Sequence, residues 1–153
     1  MLIKIVCIGK TKKKWLQDGE AEYIKHLKKY ATVEWVVIEP ETRGTVADIV
    51  KKETEKVQKY AQTLSDFELC VLDIYGDQYS SESFSDKIKT FEKKGKIAFF
   101  IGGSHGFALG FTDSITYKIS LSPMTFVHEM VRVVLLEQLF RALDIMHGGQ
   151  YHK

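Results

Sequence analysis

The chain has 153 residues, 44% of them hydrophobic and 27% charged, and its 22 basic and 20 acidic side chains give a formal net charge of +2. This composition predicts one folded domain with an ordinary core over residues 1–153 and excludes an intrinsically disordered chain. The net charge is too small to indicate nucleic-acid binding by itself.

The sequence lacks the patterns of a membrane span, a secretion signal and a metal site. Every apolar run is shorter than the roughly 20 residues that cross a bilayer. The apolar start, residues 1–6, lacks the charged region that opens a signal peptide. Cys7 and Cys70 lie in apolar runs, without C-x-x-C or zinc spacing, and are expected to be small buried thiols. We therefore expect a cytoplasmic protein without a metal ion.

The predicted elements alternate between strands and helices along the whole chain. In order they are a strand over residues 2–8, a helix over 15–30, a strand over 33–38, a helix over 46–64, a strand over 67–74, a turn at 75–78, a helix over 83–94, a strand over 97–101, a glycine-broken stretch at 107–113, a strand over 115–121 and a helix over 127–146. This alternation predicts an α/β fold with a mainly parallel sheet and helices on both faces.

Ligands of such sheets bind beyond the carboxyl ends of the strands. That rule selects three loops, at residues 75–78, 102–106 and 122–125. In the second loop, Gly102 and Gly103 leave the backbone open, so its amides can bind a carboxylate or a phosphate. A tight turn without a ligand explains the same glycines, and the pattern is not the G-x-G-x-x-G of dinucleotide sites.

The third loop, Ser120-Leu121-Ser122-Pro123-Met124-Thr125, combines hydroxyls, apolar side chains and one rigid kink. Ser122 or Thr125 is expected to cap the helix that follows. The same stretch is also suited to wrap an adenine or a methionine-like chain. Spacing alone does not choose between these two uses.

The last helix is apolar around most of its circumference, which predicts burial on several sides. Because one sheet face cannot cover such a helix in a small domain, we expect a second copy of the chain to cover it in a homodimer. Arg132 and Arg141 interrupt the apolar surface, and each needs an anion, either an internal carboxylate or an external phosphate. Glu137 and Arg141 have the spacing of a surface ion pair.

The chain ends at Tyr151-His152-Lys153. A frayed terminus is the simple interpretation. The alternative is functional, because these three side chains could stack a base, move a proton and pair with a phosphate. A cluster of lysines near the start also has two interpretations, a solvated helix face or phosphate contacts; its first members are Lys10, Lys12, Lys13 and Lys14.

Several of these segments together resemble a known family. The chain is similar to the small SPOUT-class methyltransferases of the RlmH family over its whole length. The segments that carry the resemblance are Leu72-Asp73-Ile74-Tyr75-Gly76, Ile101-Gly102-Gly103-x-x-Gly106, Ser120-Leu121-Ser122-x-Met124-Thr125, Val131-Arg132-Val133, Glu137-Gln138-x-x-Arg141-Ala142 and Tyr151-His152-Lys153. One departure is Val127, at a position before the histidine where family members often carry proline.

The resemblance implies a fold, a cofactor and a substrate. The fold would hold a deep trefoil knot near the C-terminus, and the chain would be a homodimer through its last helix. The cofactor would be S-adenosyl-L-methionine, and the reaction would methylate N3 of a pseudouridine in 23S ribosomal RNA of the assembled ribosome. The cofactor contacts carried over residue by residue fall on Leu72, Gly102, Gly103, Leu121, Ser122, Pro123, Met124, Thr125 and Phe126.

Roles in that reaction follow from side-chain type. His152 would act as general base, Arg141 or Arg132 would stabilise negative charge on the base, and Tyr151 would stack on it. The remaining candidates for contacts with the RNA are His128, Arg132, Lys153, Lys10 and Lys12. The alternative function is a non-catalytic RNA- or ribosome-binding α/β protein, which would bind RNA without the cofactor.

Overall fold

Five strands and five α-helices alternate along the chain, and the computed structural model describes every residue from 1 to 153. The strands are β1 (Leu2–Ile8), β2 (Thr32–Ile38), β3 (Glu68–Gln78), β4 (Lys96–Ile101) and β5 (Tyr117–Ser120). The helices are α1 (Lys14–Leu27), α2 (Val46–Ala61), α3 (Ser81–Thr90), α4 (Leu109–Ser114) and α5 (His128–Met146), and a short 3-10 turn, Phe91–Lys93, follows α3.

All five strands pair in parallel, in the order β2-β1-β4-β3-β5. The predicted α/β class and parallel sheet are therefore confirmed. The carboxyl ends of β3, β4 and β5 are neighbours at one edge, which brings the three selected loops together. Strand order does not trace threading, and the C-terminal knot stays a prediction.

Helices cover both faces of the sheet, as expected. Alternate side chains of one strand enter different cores, since successive residues point to opposite faces: Ile3 and Ile5 pack towards α1, α3 and α5, while Val6 and Ile8 pack towards α2 and α4. β4 lies between β1 and β3 and has its apolar side chains buried in both cores. The thiols of Cys7 and Cys70 are free and buried, as predicted.

Helix α5 packs between α1 and α3 on one face of the sheet. These neighbours leave no residue of α5 fully exposed. The sequence argument assumed that only one sheet face could cover α5 within a single chain. That assumption is wrong, because the two flanking helices supply much of the cover. The homodimer itself stays a prediction. None of the helices is long and apolar enough to cross a membrane.

The turn predicted at residues 75–78 is wrong, because β3 continues to Gln78. The strand bulges after Leu72 and rejoins β5 at Asp77, so that both residues pair with Ile119. The sequence pattern did not show this extension because the buried part of the strand ends before the strand does. Tyr75, for example, is 85% exposed. Gly76 lies against the backbone of β5, where a Cβ would stand 2.7 Å from the Ile119 nitrogen.

The close approach at Gly76 makes a testable prediction for stability. We expect Gly76→Ala to lower the free energy of unfolding by about 2 kcal/mol, because overpacking forces the paired backbones apart. Gly110→Ala is the matched control, since nothing lies within 4 Å of a Cβ built there. Urea unfolding measures both. Equal stabilities of the two variants would contradict the close contact between β3 and β5.

Candidate functional site

A cavity of about 810 Å³ opens at the carboxyl edge of the sheet. This volume is in the range of small-molecule sites. All three loops selected from the sequence contribute to it. Its walls are residues 72–75, 101–107, 119–122 and 124–128, together with Leu109, Thr112 and Val131.

The residues predicted to hold the cofactor meet at this cavity. Of the nine, all but Pro123 line its walls. Leu72 comes from β3, just before its bulge, Gly102 and Gly103 from the loop after β4, and the others from the loop before α5. Their common location is a finding about the fold, and their contact with a cofactor stays a prediction.

The glycine turn is shaped by contacts within the chain. A Cβ on Gly102 would lie 2.8 Å from Gly106 Cα, and one on Gly103 would lie 2.9 Å from the Glu53 carboxylate. Gly106 has a φ of +71°, in the left-handed region that favours glycine. The turn's own packing therefore requires the glycines, whether or not a ligand also contacts them. Thr54 of α2 supports the turn by accepting a hydrogen bond from the Ala108 amide at 3.0 Å.

The loop before α5 is stabilised by its own serines. The Ser122 hydroxyl accepts from the Met124 amide at 3.0 Å, and the Ser120 hydroxyl donates to the Ser122 carbonyl at 3.0 Å. The prediction that Ser122 or Thr125 caps α5 is wrong, because Val127 is the N-cap residue and no side chain caps it. Met124 is 72% exposed and Val127 62%, so apolar side chains face solvent at the mouth of the cavity.

His128 lies on the cavity wall at the start of α5. Burial, and then the positive charge of Arg132, hold the pKa of His128 below its usual value. The imidazole is therefore neutral at physiological pH. A neutral imidazole can donate or accept a hydrogen bond there but supplies no positive charge to a phosphate.

Arg132 is not available to RNA, and the prediction that it contacts the substrate is wrong. Its side chain is 1% exposed, and it donates to the Thr11 hydroxyl at 2.8 Å and to the Ile8 carbonyl at 2.9 Å. The Thr11 hydroxyl in turn donates to Glu20 at 2.5 Å. The guanidinium thus joins α5 to the end of β1 and is satisfied within the chain, except for its buried Nε.

The lysine-rich loop between β1 and α1 is also tied to α5. The Glu129 carboxylate accepts hydrogen bonds from the backbone amides of Lys12, at 3.1 Å, and Lys13, at 3.5 Å. The side chains of Lys10, Lys12, Lys13 and Lys14 are exposed. Trp15 comes next and is 59% exposed.

The C-terminal segment is ordered against α5, which contradicts the simple expectation of a frayed end. The Tyr151 ring lies against Phe140, with centroids 4.7 Å apart, and the Arg141 guanidinium carbon is 4.6 Å from the same ring. Arg141 is also paired with Glu137 at 2.5 Å, as its spacing predicted. A hydrogen bond with Tyr23, together with burial, raises the pKa of the Tyr151 phenol.

His152 lies between an arginine and a carboxylate. Its Nδ1 is 3.3 Å from the Arg141 guanidinium, and its Nε2 is 2.9 Å from Glu82 at the start of α3. Because a guanidinium only donates, Nδ1 is the acceptor, and the ring proton is on Nε2, directed at Glu82. Bonds from the Glu82 backbone amide and from His152 lower the pKa of Glu82 to about 2.

The tail, residues 151–153, and the cavity are separate within one chain. Neither Arg141 nor any residue of the tail lines the cavity. Arg141 is about 15 Å further along α5 than the cavity residue Val131, at the usual helical rise of 1.5 Å per residue. The structure therefore brings the predicted cofactor residues together and the predicted catalytic residues together, but at different places.

Sequence reasoning missed several side chains that support these segments. Thr54 bonds to the backbone after the glycine turn and Glu53 lies against that turn, Glu129 holds the lysine-rich loop, and Glu82 and Asp144 hold the tail. Asp144 alone carried a usable signal, because an acidic residue in the last turn of a helix opposes the helix dipole. No group of three or more histidine, cysteine, aspartate or glutamate side chains is arranged to bind a metal ion.

Comparison with known proteins identifies the family. A family model described as "Predicted SPOUT methyltransferase" matches residues 1–152. The protein named ribosomal RNA large subunit methyltransferase H in Mycoplasma mycoides is 38% identical over 155 residues, covering 100% of both chains. The protein of the same name in Bacillus cytotoxicus is 39% identical over 159 residues, again covering 100% of both chains.

Solved structures agree with this assignment at the level of the fold. A probable methyltransferase from Bordetella pertussis superposes with a TM-score of 0.54 at 10% identity, over 92% of this chain and 95% of that one. With its full-length matches to the family model and to relatives above 30% identity, the chain belongs to the SPOUT methyltransferase family, in the group of the large-subunit ribosomal RNA methyltransferases H.

Proposed function

We propose that the chain transfers a methyl group from S-adenosyl-L-methionine to N3 of a pseudouridine in 23S ribosomal RNA. The observation that carries the proposal is the cavity at the carboxyl edge of the sheet, where eight of the nine residues expected to hold the cofactor meet. Family membership supports methyl transfer to ribosomal RNA. The particular base and atom, and the assembled ribosome as substrate, rest on the resemblance of the sequence motifs.

The residues at the cavity fit the proposed cofactor. The cavity combines exposed apolar side chains, Met124 and Phe126, with the backbone polar groups of two irregular loops. An adenine needs apolar faces and backbone hydrogen bonds, and a methionine chain needs a polar partner for its charged end. The bound cofactor would supply an electrophilic methyl group on a sulfonium. The chain's part is to hold the acceptor base in line with that group, because positioning supplies much of the rate of a displacement.

The tail supplies a suitable base for the N3 proton. Glu82 accepts the Nε2 proton of His152, which fixes the tautomer and leaves Nδ1 as the proton acceptor. Arg141 now occupies Nδ1. When the substrate base takes that place, the same guanidinium can donate to a carbonyl oxygen beside N3 and stabilise its negative charge. Tyr151 would stack on the ring of the base.

We propose that the tail acts in the site of a second subunit. The tail of one chain is held too far from its own cavity to reach a base there, so catalysis within one chain would require the tail to leave α5. Apolar side chains at the mouth of the cavity, including Met124 and Val127, are exposed and suit a contact with a second copy. A homodimer would place each tail beside the partner's cavity without breaking its contacts.

The exposed basic loop is the proposed RNA surface. Glu129 holds the backbone of Lys12 and Lys13 beside the first turn of α5, Lys10 precedes them in the same loop, and Lys153 ends the tail. Trp15 adds an exposed aromatic face beside these lysines, a combination that suits an unpaired base and its phosphate. His128, on the cavity wall, is the neutral polar contact at the mouth.

The competing function is RNA or ribosome binding without catalysis. Its support is the same basic loop, which needs no cofactor to bind phosphates. The two functions differ in one measurement, because only the enzyme binds S-adenosyl-L-methionine.

Binding of the cofactor is the first prediction of this proposal. We expect calorimetric titration with S-adenosyl-L-methionine to give a binding heat, and Met124→Glu to weaken affinity by about tenfold or more, because a carboxylate would be desolvated against the ligand. Val46→Glu is the matched control, a change to the same acid at a 55% exposed site away from the cavity. The absence of both binding heat and thermal shift in the wild-type chain would exclude the methyltransferase function.

Mixing two inactive variants tests the shared site. His152→Ala removes the proposed base, and Gly102→Ala disrupts the cavity loop because its Cβ would meet Gly106. After subunit exchange we expect methylation at about a quarter of the wild-type rate, since half of the dimers would be mixed and each would have one complete site. If the tail serves its own chain, no mixture regains activity.

RNA affinity tests the basic surface. We expect Lys12→Ala to reduce the salt dependence of binding to a ribosomal RNA stem-loop by about one phosphate contact. Trp15→Ala should lower affinity at every salt concentration and leave the slope unchanged, because stacking releases no counterions. Lys59→Ala is the control, an exposed lysine on the opposite face of the sheet. If Lys12→Ala and Lys59→Ala change the salt dependence of binding equally, the loop does not contact the RNA.

A further inference from the structure

A buried carboxylate lies in the last turn of α5, outside the cavity. Asp144 is 5% exposed, and each of its oxygens has a partner from a different segment of the chain. Oδ1 accepts from the Tyr30 hydroxyl at 2.8 Å, and Oδ2 accepts from the backbone amide of Tyr151 at 2.9 Å. One side chain thus joins the turn after α1, the end of α5 and the C-terminal segment.

This carboxylate is in an unfavourable place for the helix that carries it. An acidic side chain in a last helical turn opposes the negative end of the helix dipole. Burial by itself would raise the pKa of Asp144, but the bonds from the Tyr151 amide and the Tyr30 hydroxyl outweigh it, and the pKa lies below its ordinary value. The carboxylate is therefore charged at neutral pH, and its contacts with other segments favour the charged form.

The chain reverses its direction against this same carboxylate. Gly148 has a φ of +67°, and the Gly149 amide donates to the Asp144 carbonyl at 2.8 Å. A Cβ on Gly149 would overlap the Asp144 side chain. Only glycine fits between the carboxylate and the turn, so the path of the backbone to Tyr151 is closely defined.

From these contacts we infer that Asp144 is the positioning residue of the C-terminal segment, which sets the places of Tyr151 and His152 for methyl transfer. The catalytic part of this inference rests on the proposed function. With the Tyr151 amide fixed, its ring lies on Phe140 and its hydroxyl donates to Glu137 at 3.2 Å. The next residue then meets both Arg141 and Glu82. Asp144 touches neither cavity nor base and acts only through the tail.

Hydrogen exchange of the Tyr151 amide in the full-length protein tests the contact directly. We expect Asp144→Ala to speed exchange of this amide by about tenfold or more, because a hydrogen bond to a buried charge is lost. Asp144→Asn should keep the protection, since its amide oxygen can accept from Tyr151 and its NH₂ can donate to Tyr30. Tyr30→Phe is the matched control, which removes the partner of the other oxygen and leaves the Tyr151 bond. Unchanged protection in Asp144→Ala would overturn the inference.

The Gly149→Ala variant, which keeps the carboxylate, covers the case in which Asp144→Ala fails to fold. Gly149→Ala pushes the tail away from an intact carboxylate, and we expect it to speed exchange at Tyr151 by about tenfold in the wild-type background. Unchanged exchange at Tyr151 in the folded Gly149→Ala variant would overturn the inference. Where Asp144→Ala also folds, a double-mutant cycle applies, and removing the carboxylate should cancel most of the effect of Gly149→Ala. Additive effects would contradict the contact between these two residues.

Steady-state kinetics tests the catalytic part. We expect Asp144→Ala to lower kcat by about tenfold while the calorimetric affinity for S-adenosyl-L-methionine stays at the wild-type value, and Asp144→Asn to restore kcat. If the Tyr151 amide exchanges faster in Asp144→Ala but kcat is unchanged, the positioning role is overturned. If the wild-type chain transfers no methyl group, the proposed function fails, and the exchange measurement still decides whether Asp144 fixes the tail.

Discussion

The functional features of this chain depend on how the N-terminal turn of α5 is held against the sheet, and the buried Arg132 guanidinium holds it there. Its hydrogen bonds reach the carbonyl at the end of β1 and the hydroxyl of Thr11 in the loop that follows. Glu129, one turn earlier in α5, accepts hydrogen bonds from the Lys12 and Lys13 amides of that loop. The wall of the cavity and the basic loop therefore share one support. A polar network at this place fixes a unique arrangement, whereas apolar contacts alone would allow α5 to slide.

The position of α5 also determines what one chain can and cannot do alone. The helix starts at the cavity and carries the tail at its far end, where the chain reverses and packs back on Phe140 and Arg141. Because a helix is rigid over this length, the cavity and the tail cannot approach each other by local adjustment. A site that needs both parts must either release the tail or combine two chains. The second route keeps the buried contacts of Asp144 and is the less costly one.

Buried charges in this chain are concentrated at the segments proposed to be functional. Glu53 lies behind the glycine turn, Glu129 and Arg132 lie behind the basic loop, and Asp144 lies behind the tail. Burying an ion is costly, and removing one member of such a set leaves an uncompensated charge. These side chains are therefore poor contributors to stability compared with the apolar cores, and their contacts serve to fix irregular backbone where no regular hydrogen-bond ladder does so.

The sequence by itself determined the fold class, the five strands and the edge at which a ligand site forms, because the hydrophobic period and the alternation of strands with helices follow from local patterns. It also indicated, through resemblance, the group of residues that meets at the cavity. It failed where distant contacts decide. The pattern of hydrophobic and charged residues could not show that the Arg132 guanidinium is hydrogen-bonded to Thr11 and Ile8. Nor could it show that β3 continues past Tyr75 or that α1 and α3 cover α5. Only the tertiary structure decided that the tail is ordered and lies apart from the cavity. The chain reverses at Gly149 because the Asp144 carboxylate packs against it, and such a packing contact leaves no periodic pattern in the sequence.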